Sequence, residues 1–314
     1  MKHFLRSISI LSVLCLGMTS IAFAPLNQAM NLELNLKQGQ KFKQWVLNEQ
    51  IITQTIQGRE QKIEQKLGTG YAYEVLRVSP KQYDLKVTFY RMLFKQDIGG
   101  LPQMANDYDS KRDGSNGEYL PLEAAAAAQL NKTFEISLDR KANITEVRGT
   151  DDLIAAMMDD LEKLSPQLAN DDMEKGFRKT LGPENLKSSM RQLLFALPEE
   201  PVAVGDKWKG ENTVKSVMVM NTYTEYETSA LNSKTATILA EGELETEEDA
   251  VMDMGGIPLD VGMGGTTEAT YIIDVKSGLL KKGEYKLEAI GEMSMQGMTI
   301  PMALNNFTTI TLEK

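Results

Sequence analysis

The stretch GQKFK at Gly39–Lys43 returns as GDKWK at Gly205–Lys209, 166 positions later. Glycine, lysine and aromatic residues are common at hairpin turns, so one such echo alone could arise by chance. It is not alone. GGLP at Gly99–Pro102 recurs as GGIP at Gly255–Pro258, at an offset of 156. TFEISLD at Thr133–Asp139 recurs loosely as TYIIDVK at Thr270–Lys276, at an offset of 137. Three anchors in one order point to a tandem duplication whose second copy is shorter between anchors.

Inside both copies the hydrophobic period is two. Leu32, Leu34 and Leu36 alternate with polar residues, as do Leu67–Val75 and Tyr83–Phe89. The second half repeats the pattern in Ala236–Leu244, Thr267–Val275 and Met302–Leu312. Such alternation marks half-buried antiparallel strands. Gly39, Gly58, Ser79–Lys81 and Lys276–Gly278 separate them as turns. A sheet of about ten long strands tends to curl rather than lie flat.

Between the copies the period changes to that of a helix. Thr150 or Asp151 is placed to cap a helix carrying Leu153, Ile154, Met157, Met158, Leu161 and Leu164 on one stripe, ended by Pro166. Two more helices are expected, one around Met173, Phe177 and Leu181, the other around Leu186, Met190 and Leu193. EAAAAAQL at Glu123–Leu130 predicts a short helix in the first half. The expected fold is α+β and mostly antiparallel β. Two duplicated halves would form a large curved sheet, and a central helical block would cover one face. The expected divisions are a leader over 1–22, with cleavage as late as 29, a first β-rich repeat over 31–149, a helical block and linker over 150–201, and a second β-rich repeat over 202–314.

The leader reading rests on Lys2 and Arg6, the uncharged run Ser7–Phe23, and the small residues after it. An uncleaved anchor is the alternative, although the run is shorter than the roughly 20 residues a spanning helix needs. No later segment is long and apolar enough to span. The expected location is therefore outside the cytoplasm, in the periplasm, at the cell surface or secreted. The single His, His3, and the single Cys, Cys15, both lie in the leader. Without it, Ser-His-Asp and Cys-His catalysis, Cys/His zinc sites and disulfides are all excluded. A net charge of −10 repels nucleic acid and anionic headgroups. At 42% hydrophobic residues the chain has the material for a packed core.

Four candidate sites stand out. Nine of the 18 methionines lie within Met218–Met302, with Met252 and Met254 two apart and Met293, Met295, Met298 and Met302 within ten residues. Methionine lines adaptable apolar pockets, and clustered thioethers also suit Cu(I). Trp45 and Trp208 lie near the echoed turns as a binding platform or as core anchors of equivalent hairpins. The polar loop Asp107–Glu118 has calcium-loop length, but Lys111 and Arg112 occupy positions where an oxygen ligand and Gly belong. It reads as a solvated loop. Acid pairs such as Asp159–Asp160 and Glu247–Glu248 read as solvated faces. The S-x-x-K, G-x-S-x-G, P-loop and dinucleotide patterns are absent.

The element P-V-x-x-G-D-x-W at Pro201–Trp208 and the Y-D-S at Tyr108–Ser110 resemble those of an exported bacterial family known only as a domain of unknown function. That resemblance implies no catalytic residues. The expected architecture is similar to the unclosed half-barrels of bacterial lipoprotein and lipid carriers. Together these readings predict a soluble exported binding protein without enzymatic activity or cofactor. Its partner would be a hydrophobic small molecule or lipid, with Met252, Met254, Met293, Met295, Met298, Trp45 and Trp208 lining the pocket. A scaffold with a filled core and a Met-based Cu(I) binder are the alternatives.

Overall fold

The echoed glycines build the same turn twice. Gly39 and Gly205 adopt φ of 77° and 91°, the left-handed region that glycine occupies without strain. Gly39 N donates to Val75 O at 2.8 Å and Val75 N to Gln40 O at 2.9 Å. Gly205 N donates to Thr228 O at 2.8 Å and Thr228 N to Asp206 O at 2.9 Å. Phe42 stacks on Tyr73 with centroids 4.6 Å apart, and Trp208 stacks on Tyr226 at 5.4 Å. The counterpart of Trp208 is therefore Phe42, not Trp45.

The computed structural model describes residues 29–313, apart from 115–118, 216–218, 248–249, 254–257 and 296–297. The leader, Met254 and most of the second GGIP anchor lie outside the described residues. The first half comprises β1 (Lys41–Ile56), β2 (Arg59–Val78), β3 (Gln82–Ile98), β4 (Asn106–Asp109), α1 (Ser110–Asp113), α2 (Pro121–Gln129), β5 (Thr133–Asp139) and β6 (Ile144–Arg148). The helical block is α3 (Thr150–Leu164), α4 (Asp171–Leu181) and α5 (Pro183–Leu194). The second half comprises β7 (Lys207–Lys215), β8 (Val219–Leu231), β9 (Thr235–Thr246), β10 (Val251–Asp253), β11 (Pro258–Asp274), β12 (Leu280–Met295) and β13 (Met298–Glu313).

Both halves join one 13-stranded antiparallel sheet in the order β6-β5-β3-β2-β1-β13-β12-β11-β9-β8-β7, with β4 on β3 and β10 on β11. The strand count exceeds the sequence expectation because β4 and β10, of 4 and 3 residues, are too short to show a period. The first copy runs 1-2-3-5-6 away from the centre. The second copy runs 7-8-9-11-12 in the same spatial sense, and β13 then closes on β1. Even the irregularities repeat. The β2–β3 register slips between Val75 and Arg77, and the β8–β9 register slips between Thr228 and Ala230. The short strands differ, since β4 pairs inward with β3 whereas β10 pairs with β11.

The helices pack on one face. In α3, Leu153, Ile154, Met157 and Leu161 form the buried stripe. Asp151 and Asp152 in its first turn and Lys163 in its last complement the helix dipole. The cap differs from expectation. Gly149, at φ 76°, precedes the helix, and Thr150 is already inside it. Asn170 caps α4 by accepting from Met173 N at 3.0 Å. Helix α5 touches β6 and β7, the two outer strands of the sheet path. One helix bridging both edges requires the sheet to curl toward the helices. Gln44 ties this block to the sheet centre, donating to Leu193 O at 3.3 Å and accepting from Tyr73 Oη at 2.9 Å.

Leu32, Leu34 and Leu36 alternate as expected and are buried, but they form a strap outside the sheet. Leu34 N donates to Arg140 O at 2.8 Å and Asn35 N to Ser277 O at 2.9 Å. The strap thus joins the turn after β5 to the turn after β11. Gly278 has φ 72°, and a Cβ there would lie 2.2 Å from Glu33 O. Gly278→Ala should cost about 2 kcal/mol or more, read as a lower urea midpoint. Gly262→Ala, where a Cβ meets nothing within 4 Å, should shift stability by less than about 0.5 kcal/mol.

Asp84 is buried on the opposite face. It accepts from Arg77 Nε at 2.6 Å, Gln82 Nε2 at 2.7 Å and Ser137 Oγ at 2.8 Å. Burial pushes its carboxyl up, but those donors outweigh it and hold the group below the usual range. A carboxylate held low stabilises the fold above its unfolded pKa, and that contribution is lost as pH falls through the folded value. The chain should therefore lose more stability than Asp84→Asn between about pH 5 and pH 2, measured by urea unfolding at each pH.

Candidate functional site

The side that faces the helices follows from strand parity. Val46, Tyr73, Val87, Ile273 and Ile310 belong to the helix-covered core. Stepping two residues at a time along each strand from these positions traces one continuous inner face, except that on β3 the bulge at Tyr90 switches the inner set from Tyr83–Phe89 to Met92–Ile98. The inner rows are Gln44–Gln54 on β1, Gln61–Tyr73 on β2, Tyr285–Met293 on β12 and Ile300–Leu312 on β13. They continue as Leu259–Ile273 on β11, Ala236–Thr246 on β9 and Met220–Thr228 on β8. None of the side chains in these rows is charged, although Arg59, one step beyond Gln61 at the β1–β2 hairpin tip, has the same parity. The Asp, Glu, Lys and Arg residues at the alternate positions point outward.

The inner face has three levels. At the first, the helices fill the concavity, and Phe195, just past α5, inserts against Tyr271 at 4.4 Å and Tyr226 at 6.0 Å between centroids. Phe195 does so at φ 53°, an unusual conformation for a non-glycine residue. At the second level lies an amide row. Cross-strand pairing aligns Asn106, Gln96, Gln65, Gln50 and Asn306 over five adjacent strands. Gln65 Nε2 donates to Gln96 Oε1 at 2.7 Å. The third level is a second apolar cluster, separate from the helix-covered core. It contains Leu244, Leu259, Val261, Met263, Leu287, Ala289 and Met293, flanked by half-buried Met220, Tyr285, Ile300, Met302 and Leu304. On the first-half side, Ile52, Ile63 and Leu67 are likewise half-buried. Burial pushes the Tyr285 hydroxyl up to about 12 and moves the Tyr271 hydroxyl in the same direction. Both phenols therefore stay neutral, in keeping with the uncharged rows around them.

The predicted site residues divide between the faces. Met293 is buried in the second cluster. Met295 pairs with Met298 at the end of the β12–β13 hairpin, where Met298 is 42% exposed. Met252 pairs with Leu259. Trp208 is on the inner face but packs on Tyr226 at the edge of the helix-covered core. Trp45 is on the outer face. Its ring lies over Gly68, where a Cβ would meet it at 2.3 Å, and the Arg91 guanidinium stacks on it at 4.0 Å. Trp45 therefore cannot share a pocket with Met293. Sequence reading missed Met263, Leu287 and the amide row. Parity was the available signal, but it needs the cross-strand register to become a surface.

The loop read against calcium closes on itself. Arg112 Nη1 pairs with Asp107 Oδ1 at 3.2 Å and Arg112 Nε with Asp113 Oδ1 at 2.7 Å. Among the described residues, no group of three or more His, Cys, Asp or Glu is placed to hold a metal ion. A trough of about 670 Å³ crosses β4, β3, β2, β1, β13 and β12. Most of its lining residues have outward parity, and their charges pair among themselves. Glu49 meets Lys66 at 2.5 Å, Lys95 meets Asp107 at 2.9 Å and Lys286 meets Glu288 at 2.8 Å. Between those ion pairs the lining holds apolar Ile51, Leu287 and Phe307 and the five amides of the row, Gln50, Gln65, Gln96, Asn106 and Asn306. No helix among the described residues is long and apolar enough to cross a membrane.

A large curled antiparallel sheet with helices in its concavity defines the class. The chain belongs to a family of unknown function (DUF6263), whose model matches residues 80–280. No curated protein matches it. Among solved structures it is similar to "Lipid-protein interactions in lipovitellin", with a TM-score of 0.46 and 10% identity over 89% of this chain. It spans 26% of that chain. It is also similar to the COG4313 outer membrane channel from Pseudomonas putida F1, with a TM-score of 0.27 and 7% identity over 89% of this chain and 97% of that one. The CymD monoaromatic hydrocarbon channel gives a TM-score of 0.18 and 7% identity over 88% and 89%. At these scores the likenesses say nothing about what this chain binds.

Two neighbouring positions on β12 test the assignment of faces. Leu287 is 8% exposed and Ile290 is 74% exposed. Leu287→Lys should destabilise by roughly 2–5 kcal/mol, from lost packing and a buried charge. Ile290→Lys should change stability by less than about 0.5 kcal/mol. Equal effects in thermal melts would mean that the inner and outer faces are wrongly assigned.

Proposed function

We propose that this chain is an exported, non-enzymatic binding protein for a hydrophobic ligand with an acyl chain. The chain of the ligand lies along the inner face beyond the helices. The observation that carries this reading is the second apolar cluster. It shares the face that the helices cover, it is separate from their core, and half-buried Met220, Ile300, Met302 and Leu304 rim it. Methionine suits such a wall because its unbranched thioether fits chains of varying shape. Outward charges on every strand keep the exterior soluble while the interior stays neutral.

Native mass spectrometry tests it. An acyl chain of about sixteen carbons contributes roughly 10 kcal/mol before the costs of binding, enough to survive purification. The chain should carry added mass that leaves on denaturation. Met302→Glu places a charge at a half-buried inner position and should lower lipid retention by about tenfold. A bare mass together with no uptake of added lipid would favour a scaffold with a filled core.

A further inference from the structure

Two amides on the inner face share one hydroxyl. Asn48 Nδ2 donates to Thr308 Oγ1 at 3.0 Å, and Asn306 Nδ2 reaches the same oxygen at 3.4 Å. The Oδ1 atoms of Asn48 and Asn306 are buried and accept no hydrogen bond among the described residues. Turning either amide over does not resolve this. Thr308 has one proton to donate, so at least one amide keeps an unmatched end. Leaving a buried acceptor unmatched costs roughly 1–3 kcal/mol, and a bound donor removes that cost. The two residues lie on β1 and β13, where the amide row adjoins the apolar cluster. The inner positions around them are Gln50, Leu67, Tyr285 and Leu287, none of them a cation.

Resting on the reading above, we infer that this site takes an acyl lipid whose head is uncharged and donates hydrogen bonds through hydroxyl or amide groups. The head meets Asn48 and Asn306, and the chain runs over Met302 and Leu304 toward Met263. A free carboxylate or phosphate is disfavoured on two counts. It would face acceptor oxygens, and no Lys or Arg among the inner positions around the two amides offsets the cost of burying it.

Monoolein and oleate carry the same chain and differ only in the head. Each is titrated into the full chain against diphenylhexatriene, a neutral hydrocarbon fluorophore, at about pH 9, where oleate is ionised. Monoolein should displace the fluorophore at a concentration at least about tenfold lower than oleate. Asn306→Leu should weaken monoolein by about tenfold while leaving fluorophore and oleate binding unchanged. Its melting temperature should not fall, because an unmatched polar group has been replaced by an apolar one of similar size. Equal displacement by both lipids, or no change in their ratio in Asn306→Leu, would overturn the head-group inference and leave the hydrophobic site standing. Failure of the fluorophore and both lipids to bind would overturn the site itself, and the head-group inference with it.

Discussion

The pairing of β1 with β13 governs the rest of the molecule. It runs from Lys43 opposite Glu313 to Gln54 opposite Met302 without a slip. It puts Val46 beside Ile310 on the inner face and Lys43 beside Glu313 on the outer one. Side chains alternate with a period of two, so a one-residue shift here would turn every charge on one half of the sheet inward. The penalty for that error is large on both sides, through buried charges and exposed leucines. The separation of a neutral interior from a charged exterior is therefore also what holds the two halves in register.

The helical block solves the problem this seam creates. With β1 and β13 at the centre, the two outer strands of the sheet path are β6 and β7, at its opposite extremes. Exposed edges invite pairing with other chains. Helix α5 touches both, and Phe195 follows it into the aromatic cluster with Tyr226 and Tyr271. The strap at Leu32–Leu36 reinforces the other side by bonding to turns from both halves. Local oddities such as the positive φ of Phe195 sit where these long-range contacts are made, and tertiary packing overrides local preference there.

Much of this was legible in the sequence. The period of two marked the long strands, the helical stripes were read with the right residues, and the echoed glycines do form equivalent turns. Other readings failed for identifiable reasons. Trp45 and Trp208 share a residue type and a nearby turn, but the offset of the echo maps Trp208 onto Phe42. Parity then places Trp45 on the other face. The Leu32–Leu36 alternation is real, yet its polar backbone bonds to turns rather than to a strand. Of the clustered methionines, Met293 faces the apolar cluster, whereas Met298 has the same parity but lies at the end of the β12–β13 hairpin and is exposed. The amide row was invisible. Its members come from five strands, and only the registers bring Asn106, Gln96, Gln65, Gln50 and Asn306 into line.

The central position of β13 also has a kinetic consequence. A ribosome delivers the sheet's middle last. Until Met298–Glu313 emerges, the first half has no partner for β1 and the second has none for β12, so each is an incomplete sheet with an open flank. Contacts that join the two ends of a chain are slow to form, because loop closure must precede their reward. Losing β13 would not trim an edge, as the loss of an outer strand does. It would cut this one in two.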